Sequence, residues 1–250
     1  MNFIYKSHEE ISPSCALAIG NFDGLHCGHQ QLFKKIRDDG HSVAVLTFWP
    51  NPRMYFNQNF IPMHSIEEKI DSFEQIGVDR VFILNFNHKF AEMSAEIFIQ
   101  DILLSGMKPR SIYIGEDFRF GKNAQGDAFY MQKSLDGAIN VNIAQLYDKE
   151  TYSSTKARFT LLNGDFDVLN NILGRKYYFI GIAAKTKNKS IEILRDLKLN
   201  IKDIEFLVNV SYKAQNFVTK CYIKGGVCFL RSLPENCFEQ KVIITPLLSK

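Results

Sequence analysis

Cys15-Ala-Leu-Ala-Ile-Gly-Asn-Phe-Asp-Gly-Leu-His-Cys-Gly-His29 passes from an unbroken apolar run into a glycine-rich turn and on into a helix. Cys15 to Ile19 read as a strand buried on both faces, apolar at every position rather than every second one. From His29 to about Arg37, Leu32, Phe33 and Ile36 fall on one side of a helix. Ligands of open parallel sheets bind at the carboxyl ends of strands. A helix N-terminus offers amide N–H groups and a positive dipole end, which suit a phosphate. Gly20, Gly24 and Gly28 let the backbone approach a bulky anion, and His26 and His29 are donors to its oxygens. The turn is neither a GxxxxGK[ST] loop nor a dinucleotide-binding G-x-G-x-x-G.

Working outward, Ser42 to Phe48 is a second strand, and Pro50 and Pro52 stop regular structure there. Ser65 with Glu68 fits a capping box, opening a helix to about Ile76 that Gly77 ends. Asp79 to Leu84 is a third strand. Ser94 to Leu104 is an amphipathic helix with Gly106 as its stop, and Ser111 to Ile114 is a fourth strand. A helix over 126–135 and a strand over 139–143 follow. Ser154 or Thr155 caps another helix, and Asp165 caps one ending near Leu173. Strands alternating with helices give an α/β domain with a parallel sheet. After about Tyr178 short antiparallel strands replace this pattern, with Gly225-Gly226 as a hairpin turn. The reading divides the chain into an α/β domain, 1–180, and a small, mostly β domain, 181–250.

The 250 residues carry 46% hydrophobic and 23% charged side chains, an ordinary globular balance. Net charge is +3, too mild for a nucleic-acid carrier. From Gly181 onward 12 basic and 6 acidic residues give +6, against 18 and 21, or −3, in the rest. The five cysteines are odd in number and lack CxxC spacing, which suits reduced thiols in the cytoplasm and argues against structural zinc. No apolar run is long enough to span a membrane. The first residues lack the basic-then-apolar pattern of a secretory leader.

His-x-Gly-His at a strand-to-helix turn resembles the signature of the nucleotidyltransferase superfamily. Four more segments narrow the resemblance: Thr47-Phe-Trp-Pro-Asn-Pro-Arg53, Phe86-Asn-His-Lys-Phe-Ala-Glu-Met-Ser94, Ile114-Gly-Glu-Asp-Phe-Arg-Phe-Gly121 and Tyr152-Ser-Ser-Thr-Lys-Ala-Arg158. In that order they look like the FMN adenylyltransferase module of bacterial FAD synthetases, which are usually bifunctional riboflavin kinase/FMN adenylyltransferases. The resemblance covers about Ala16 to Gly181.

The resemblance implies a Rossmann-like nucleotidyltransferase domain that transfers AMP from Mg²⁺-bound ATP to FMN, giving FAD and pyrophosphate without a covalent enzyme intermediate. It assigns Asp23, His26, His29 and Arg158 to catalysis. It assigns Gly20, Asn21, Phe22, Gly24, Gly28, Ser153, Ser154 and Thr155 to ATP. Thr47, Phe48, Pro50, Asn51, Pro52, Gly115, Asp117, Phe118, Phe120 and Gly121 are assigned to flavin, and no residue is assigned to a metal. Phe118 and Phe120 alternate, so one of them is a candidate for ordinary core. Phe159, Leu161 and Leu162 are expected to serve the core, leaving Arg158 for the nucleotide. The family usually has His where Asn51 stands, and Trp49 replaces a smaller or acidic residue.

Leu173-Gly-Arg-Lys-Tyr-Tyr-Phe-Ile-Gly181 matches the family's bridge to its kinase barrel, but the G-F-P-T-A-N motif that should follow is missing. The tail is therefore expected to be a shortened kinase-like domain without kinase activity. Other readings are a bifunctional enzyme with a diverged kinase motif, transfer to another phosphate, and a non-catalytic flavin- or nucleotide-binding regulator. The partners expected are the small molecules ATP and FMN, with neither nucleic acid nor membrane.

Overall fold

Five parallel strands and one antiparallel strand make the sheet that carries the glycine-rich turn. The computed structural model describes residues 3–5, 15–145, 152–186 and 190–247. These pack as two compact units. The first takes Met1–Phe60 and Ile70–Lys149, and the second takes Ile61–Lys69 and Glu150–Lys250.

In the first unit, β1 (Phe3–Tyr5), β2 (Cys15–Ile19), α1 (Cys27–Asp38), β3 (Ser42–Trp49) and α2 (Pro52–Phe56) are followed by α3 (Ile66–Gln75), whose first turn belongs to the second unit. Next come β4 (Arg80–Asn85), α4 (His88–Ala91), α5 (Ala95–Ile97) and a π-helical stretch, Phe98–Met107. Then β5 (Ser111–Gly115), the two-residue strands β6 (Arg119–Phe120) and β7 (Gly126–Asp127), α6 (Ala128–Ser134) and β8 (Asn140–Ala144) complete it. The sheet order is β1-β4-β3-β2-β5-β8, with β1 antiparallel to β4 and the others parallel. From β2 the chain moves to β3 and β4 on one side, then returns to β5 on the other. The carboxyl end of β2 is therefore a topological switch point, where such sheets bind ligands.

β2 is buried at all five positions, as its composition requires. The core includes Leu17, Ile19, Leu46, Phe82, Ile102, Ile112 and Ile114. Two residues read as stops act differently in the structure. Pro52 begins α2 rather than ending structure, because the first helical position needs no N–H. Gly106 does not stop its helix either, which runs to Met107 and closes with Lys108 N–H donating to Leu103 O, 2.8 Å. A Cβ on Gly106 would lie 2.9 Å from Asp101 O, so glycine fits inside this wider coil.

The second unit holds α7 (Ser154–Asn163), α8 (Phe166–Leu173) and six strands: β9 (Phe179–Lys185), β10 (Ile191–Leu194), β11 (Ile204–Tyr212), β12 (Gln215–Lys224), β13 (Val227–Leu230) and β14 (Lys241–Pro246). They close an antiparallel barrel in the order β10-β13-β12-β11-β14-β9. Alternate barrel residues, among them Ala183, Ile193, Val208, Val210, Ile223, Leu230, Val242 and Ile244, share one core with Ala157, Leu161, Phe166, Leu169 and Ile172 of the helices. That shared core is why compactness divides the chain at 149/150, while the change of sequence pattern falls near Ile180. Gly225 and Gly226 form the β12–β13 turn, both with positive φ.

The segment 61–69 is bound into this unit by polar contacts. Glu68 and Ser65 make the expected reciprocal cap, Ser65 N–H to Oε2 at 2.8 Å and Glu68 N–H to Oγ at 3.3 Å. Glu68, fully buried, also accepts from Ile180 N–H at 2.6 Å and pairs with the Arg195 guanidinium. Tyr177 Oη donates to Met63 O at 3.1 Å. His64 stacks on Tyr177, with centroids 5.7 Å apart, and neither of its ring nitrogens has a hydrogen-bond partner. Burial and the cations Arg175, Arg195 and Lys69 hold its pKa well below the ordinary value. Among the described residues no helix is long and apolar enough to cross a membrane.

Candidate functional site

The turn after β2 uses backbone conformations that side chains resist. Phe22 (φ 46°) and Leu25 (φ 49°) are left-handed, as is Gly24 (φ 83°). Left-handed backbone costs a non-glycine residue about 1–2 kcal/mol. Core packing compensates: both side chains are buried, and the Phe22 ring meets His29, Phe33 and Phe73 at centroid distances of 5.2, 5.2 and 5.8 Å. Phe22 thus gives its ring to the core and only its backbone to the turn.

This reversal buries Asp23 and His26 and starts α1 at Cys27. His26 holds the N-cap position of α1. The His26 and His29 rings stack with centroids 3.7 Å apart at 23°. The first turn of α1 has no acidic residue and its last carries Lys35 and Arg37. That pattern matches the helix dipole and keeps negative charge away from the N-terminus. Burial pushes the Cys27 thiol up, which disfavours the reactive thiolate.

The end of β3 is tied to this turn. Thr47 is fully buried, and its Oγ1 donates to Asn21 O at 3.3 Å. Phe48 is core. After the cis Trp49–Pro50 bond, Asn51 caps α2, its Oδ1 accepting from Arg53 N–H at 3.0 Å. Helix α2 presents Tyr55, 37% exposed, and Phe56, 71% exposed. Phe86, just past β4, donates its N–H to Trp49 O at 3.1 Å. Its ring lies 5.5 Å from Tyr55 and 6.0 Å from Phe56, with Phe90 behind it at 5.5 Å. A water-facing group of rings is a shelf for a flat aromatic ligand.

Tyr55 and Phe56 lie outside the segments singled out from sequence, and Phe86 and Phe90 stand there only as part of Phe86–Ser94, with no role assigned. The available signal was the density of aromatics in two segments 30 residues apart. They become one patch only because β3 pairs with β4, placing Trp49 opposite Asn85.

The loop after β5 settles which phenylalanine is core. Phe120 is buried, packing on Phe98 at 5.3 Å and Tyr130 at 6.2 Å. Phe118 is half-buried and stacks on Phe120 at 5.6 Å and 17°. Asp117 is exposed and Gly115 half-buried. Gly121 is left-handed (φ 75°), and a Cβ there would lie 2.7 Å from Ala95 N, so only glycine passes. Lys122 pairs with Glu92 at 2.6 Å, which holds that carboxyl below its usual range.

Ser153, Ser154, Thr155 and Arg158 lie on the second unit. Ser153, rather than Ser154 or Thr155, is the N-cap of α7, its Oγ accepting from Lys156 N–H at 3.2 Å. Ser154 and Thr155 form the first turn, and Arg158 is half-buried. The core-facing side of α7 is Ala157, Thr160 and Leu161. Phe159, at 67%, and Leu162 are exposed, which corrects their assignment to the core: they lie off the stripe that Ala157 and Leu161 define. Asp165 stands at the N-cap position of α8 without a side-chain cap bond.

Residues 8–156 match the family model described as FAD synthetase. The bifunctional riboflavin kinase/FMN adenylyltransferase of Haemophilus influenzae is 35% identical over 180 residues, 68% of this chain and 58% of the relative. That of Bacillus subtilis is 32% identical over 184 residues, 70% of this chain and 58% of the relative. The match thus spans 58% of the length of both curated relatives. Among solved structures, a macrolide-efflux protein from Streptococcus pneumoniae superimposes with a TM-score of 0.76 at 21% identity, over 96% of this chain and 87% of that one. At that identity the likeness is one of fold.

Proposed function

The chain belongs to the FAD synthetase family, and on that footing we propose that it is an FMN adenylyltransferase. A phosphate oxygen of FMN attacks the α-phosphorus of ATP. The bond from that phosphorus to the bridging oxygen breaks, giving FAD and pyrophosphate. The observation that carries the reading is the juxtaposition, along one sheet edge, of a histidine pair at a helix N-terminus and an exposed aromatic shelf. The two are linked through Thr47 and Asn21. One suits a nucleotide phosphate, the other an isoalloxazine ring.

His26 and His29 would stabilise charge that grows on the α-phosphate oxygens during transfer, where fixed donors favour the transition state over the ground state. Asp23 would position groups in the turn. Ser154, Thr155 and Arg158 are proposed for the departing pyrophosphate, since hydroxyls and a guanidinium fork match its oxygens. Phe118 joins Tyr55, Phe56 and Phe86 as a flavin contact. Among the described residues no group of three or more His, Cys, Asp or Glu is placed to hold a metal ion. Asp23 is the one carboxylate of the turn, which fits Mg²⁺ arriving on ATP and held mainly by phosphates. Such an ion neutralises phosphate charge.

We further infer that the barrel does not phosphorylate riboflavin. Its interior is filled by side chains, and the tail lacks the kinase's nucleotide motif. Chromatography of products after incubation with Mg-ATP and either FMN or riboflavin tests both statements. FAD from FMN, and no product from riboflavin, is expected. No FAD from FMN refutes the adenylyltransferase reading, and FMN or FAD from riboflavin refutes the inference about the barrel.

A further inference from the structure

Helix α2 has five residues, too few to be stable alone. Something must hold the helix that presents Tyr55 and Phe56. Asn51 does so at its start. Its Oδ1 accepts from Arg53 N–H at 3.0 Å, and its backbone O accepts from Met54 N–H at 2.7 Å. The residue is 3% exposed, so its side chain is engaged with α2 rather than offered to a ligand. The other half of the shelf hangs from the same strand end, through Phe86 N–H and Trp49 O.

Resting on the proposed function, we infer that Asn51 is a positioning residue for the flavin substrate: by capping α2 it sets Tyr55 and Phe56 against Phe86, so that the isoalloxazine ring meets a preformed shelf. It acts through the cap and not through contact with flavin. Preorganisation of this kind appears in the affinity for FMN, not in the affinity for ATP or in the chemical step.

Three neutral substitutions separate capping from contact. Asn51→Ala removes the cap. Asn51→Ser restores an acceptor suited to the N-cap, with no amide. Asn51→Gln keeps the amide but moves it beyond the cap position. In steady-state FAD formation, Asn51→Ala should raise KM for FMN about five- to ten-fold, the scale on which losing a cap shifts an equilibrium. KM for ATP and kcat should stay within about two-fold, the margin for a change in binding alone. Asn51→Ser should return KM for FMN to near wild type, and Asn51→Gln should behave as Ala does.

An unchanged KM for FMN in Asn51→Ala overturns the inference. So does recovery in Asn51→Gln without recovery in Asn51→Ser, which would make the amide a direct contact. A wild-type protein that forms no FAD overturns the proposed function itself, whereas an active wild type with an indifferent Asn51→Ala overturns this inference alone.

Discussion

Replacing Glu68 by Gln should unfold the second unit at markedly lower denaturant. Glu68 is fully buried, accepts from the N–H groups of Ser65 and Ile180, and pairs with Arg195, whose side chain is 7% exposed. The second Arg195 contact, Nη2 to Oε2, is 3.2 Å, so the guanidinium grips both carboxylate oxygens. Gln preserves volume and an acceptor for Ile180 but leaves the buried guanidinium without an anion. Breaking a buried pair from one side costs about 3–5 kcal/mol.

Arg195→Met leaves the carboxylate with its two N–H donors, a smaller but still substantial loss. The double variant leaves neither charge alone. It should therefore cost less than the sum of the two by at least about 2 kcal/mol, within the range of coupling between direct partners. Urea unfolding followed by far-UV circular dichroism measures each cost. The single tryptophan, Trp49, reports the first unit separately. With a slope near 2 kcal/mol per M, the Glu68→Gln midpoint should fall by about 1.5–2.5 M. A loss below about 1 kcal/mol, the scale of an exposed pair, or simple additivity in the double variant, would refute the reasoning.

His29→Ala should cut FAD formation about 10²-fold or more, the scale of losing one transition-state donor, as read by turnover at saturating substrates. Gly121→Ala forces a left-handed side chain towards the Ala95 backbone, so thermal or urea unfolding should show a loss of about 2–4 kcal/mol. His64 gives a pH dependence. Its folded pKa lies below its unfolded one, so below about pH 6.5 the unfolded chain takes up a proton that the folded one refuses. Its contribution to stability should therefore decline from about pH 6.5 downward until the folded pKa is passed, and urea midpoints of His64→Phe should decline less over that range.

The parts legible in sequence were those set by near neighbours along the chain. Cys15–Ile19 announced a buried strand, Ser65 and Glu68 their reciprocal cap, and Gly225-Gly226 the hairpin. The four loops at the carboxyl edge were placed by the same alternation of strand and helix. What escaped depends on partners far apart in the chain. The shelf needs Tyr55 beside Phe86, which strand pairing alone determines. Phe159 looks like core until the stripe through Ala157 and Leu161 is known. Glu68 declared itself as a cap, but its partnership with Arg195, 127 residues away, left no local pattern. The π-helical stretch differs from an α-helix by hydrogen bonds one residue longer, a distinction that apolar periodicity over ten residues does not draw.

Membership of 61–69 in the barrel-bearing unit bears on whether this chain is modular. That unit is written in two separate places, so no single cut isolates it. A fragment beginning at 150 would carry Arg195 without Glu68, and Tyr177 without the Met63 carbonyl that receives its hydroxyl. An excised tail would inherit half of each pairing, a buried cation without its carboxylate and a buried hydroxyl without its acceptor. The barrel is a domain in shape but not in inheritance: what it needs to stand lies 80 residues upstream of the break at 149/150, in the midst of the sequence that forms the parallel sheet.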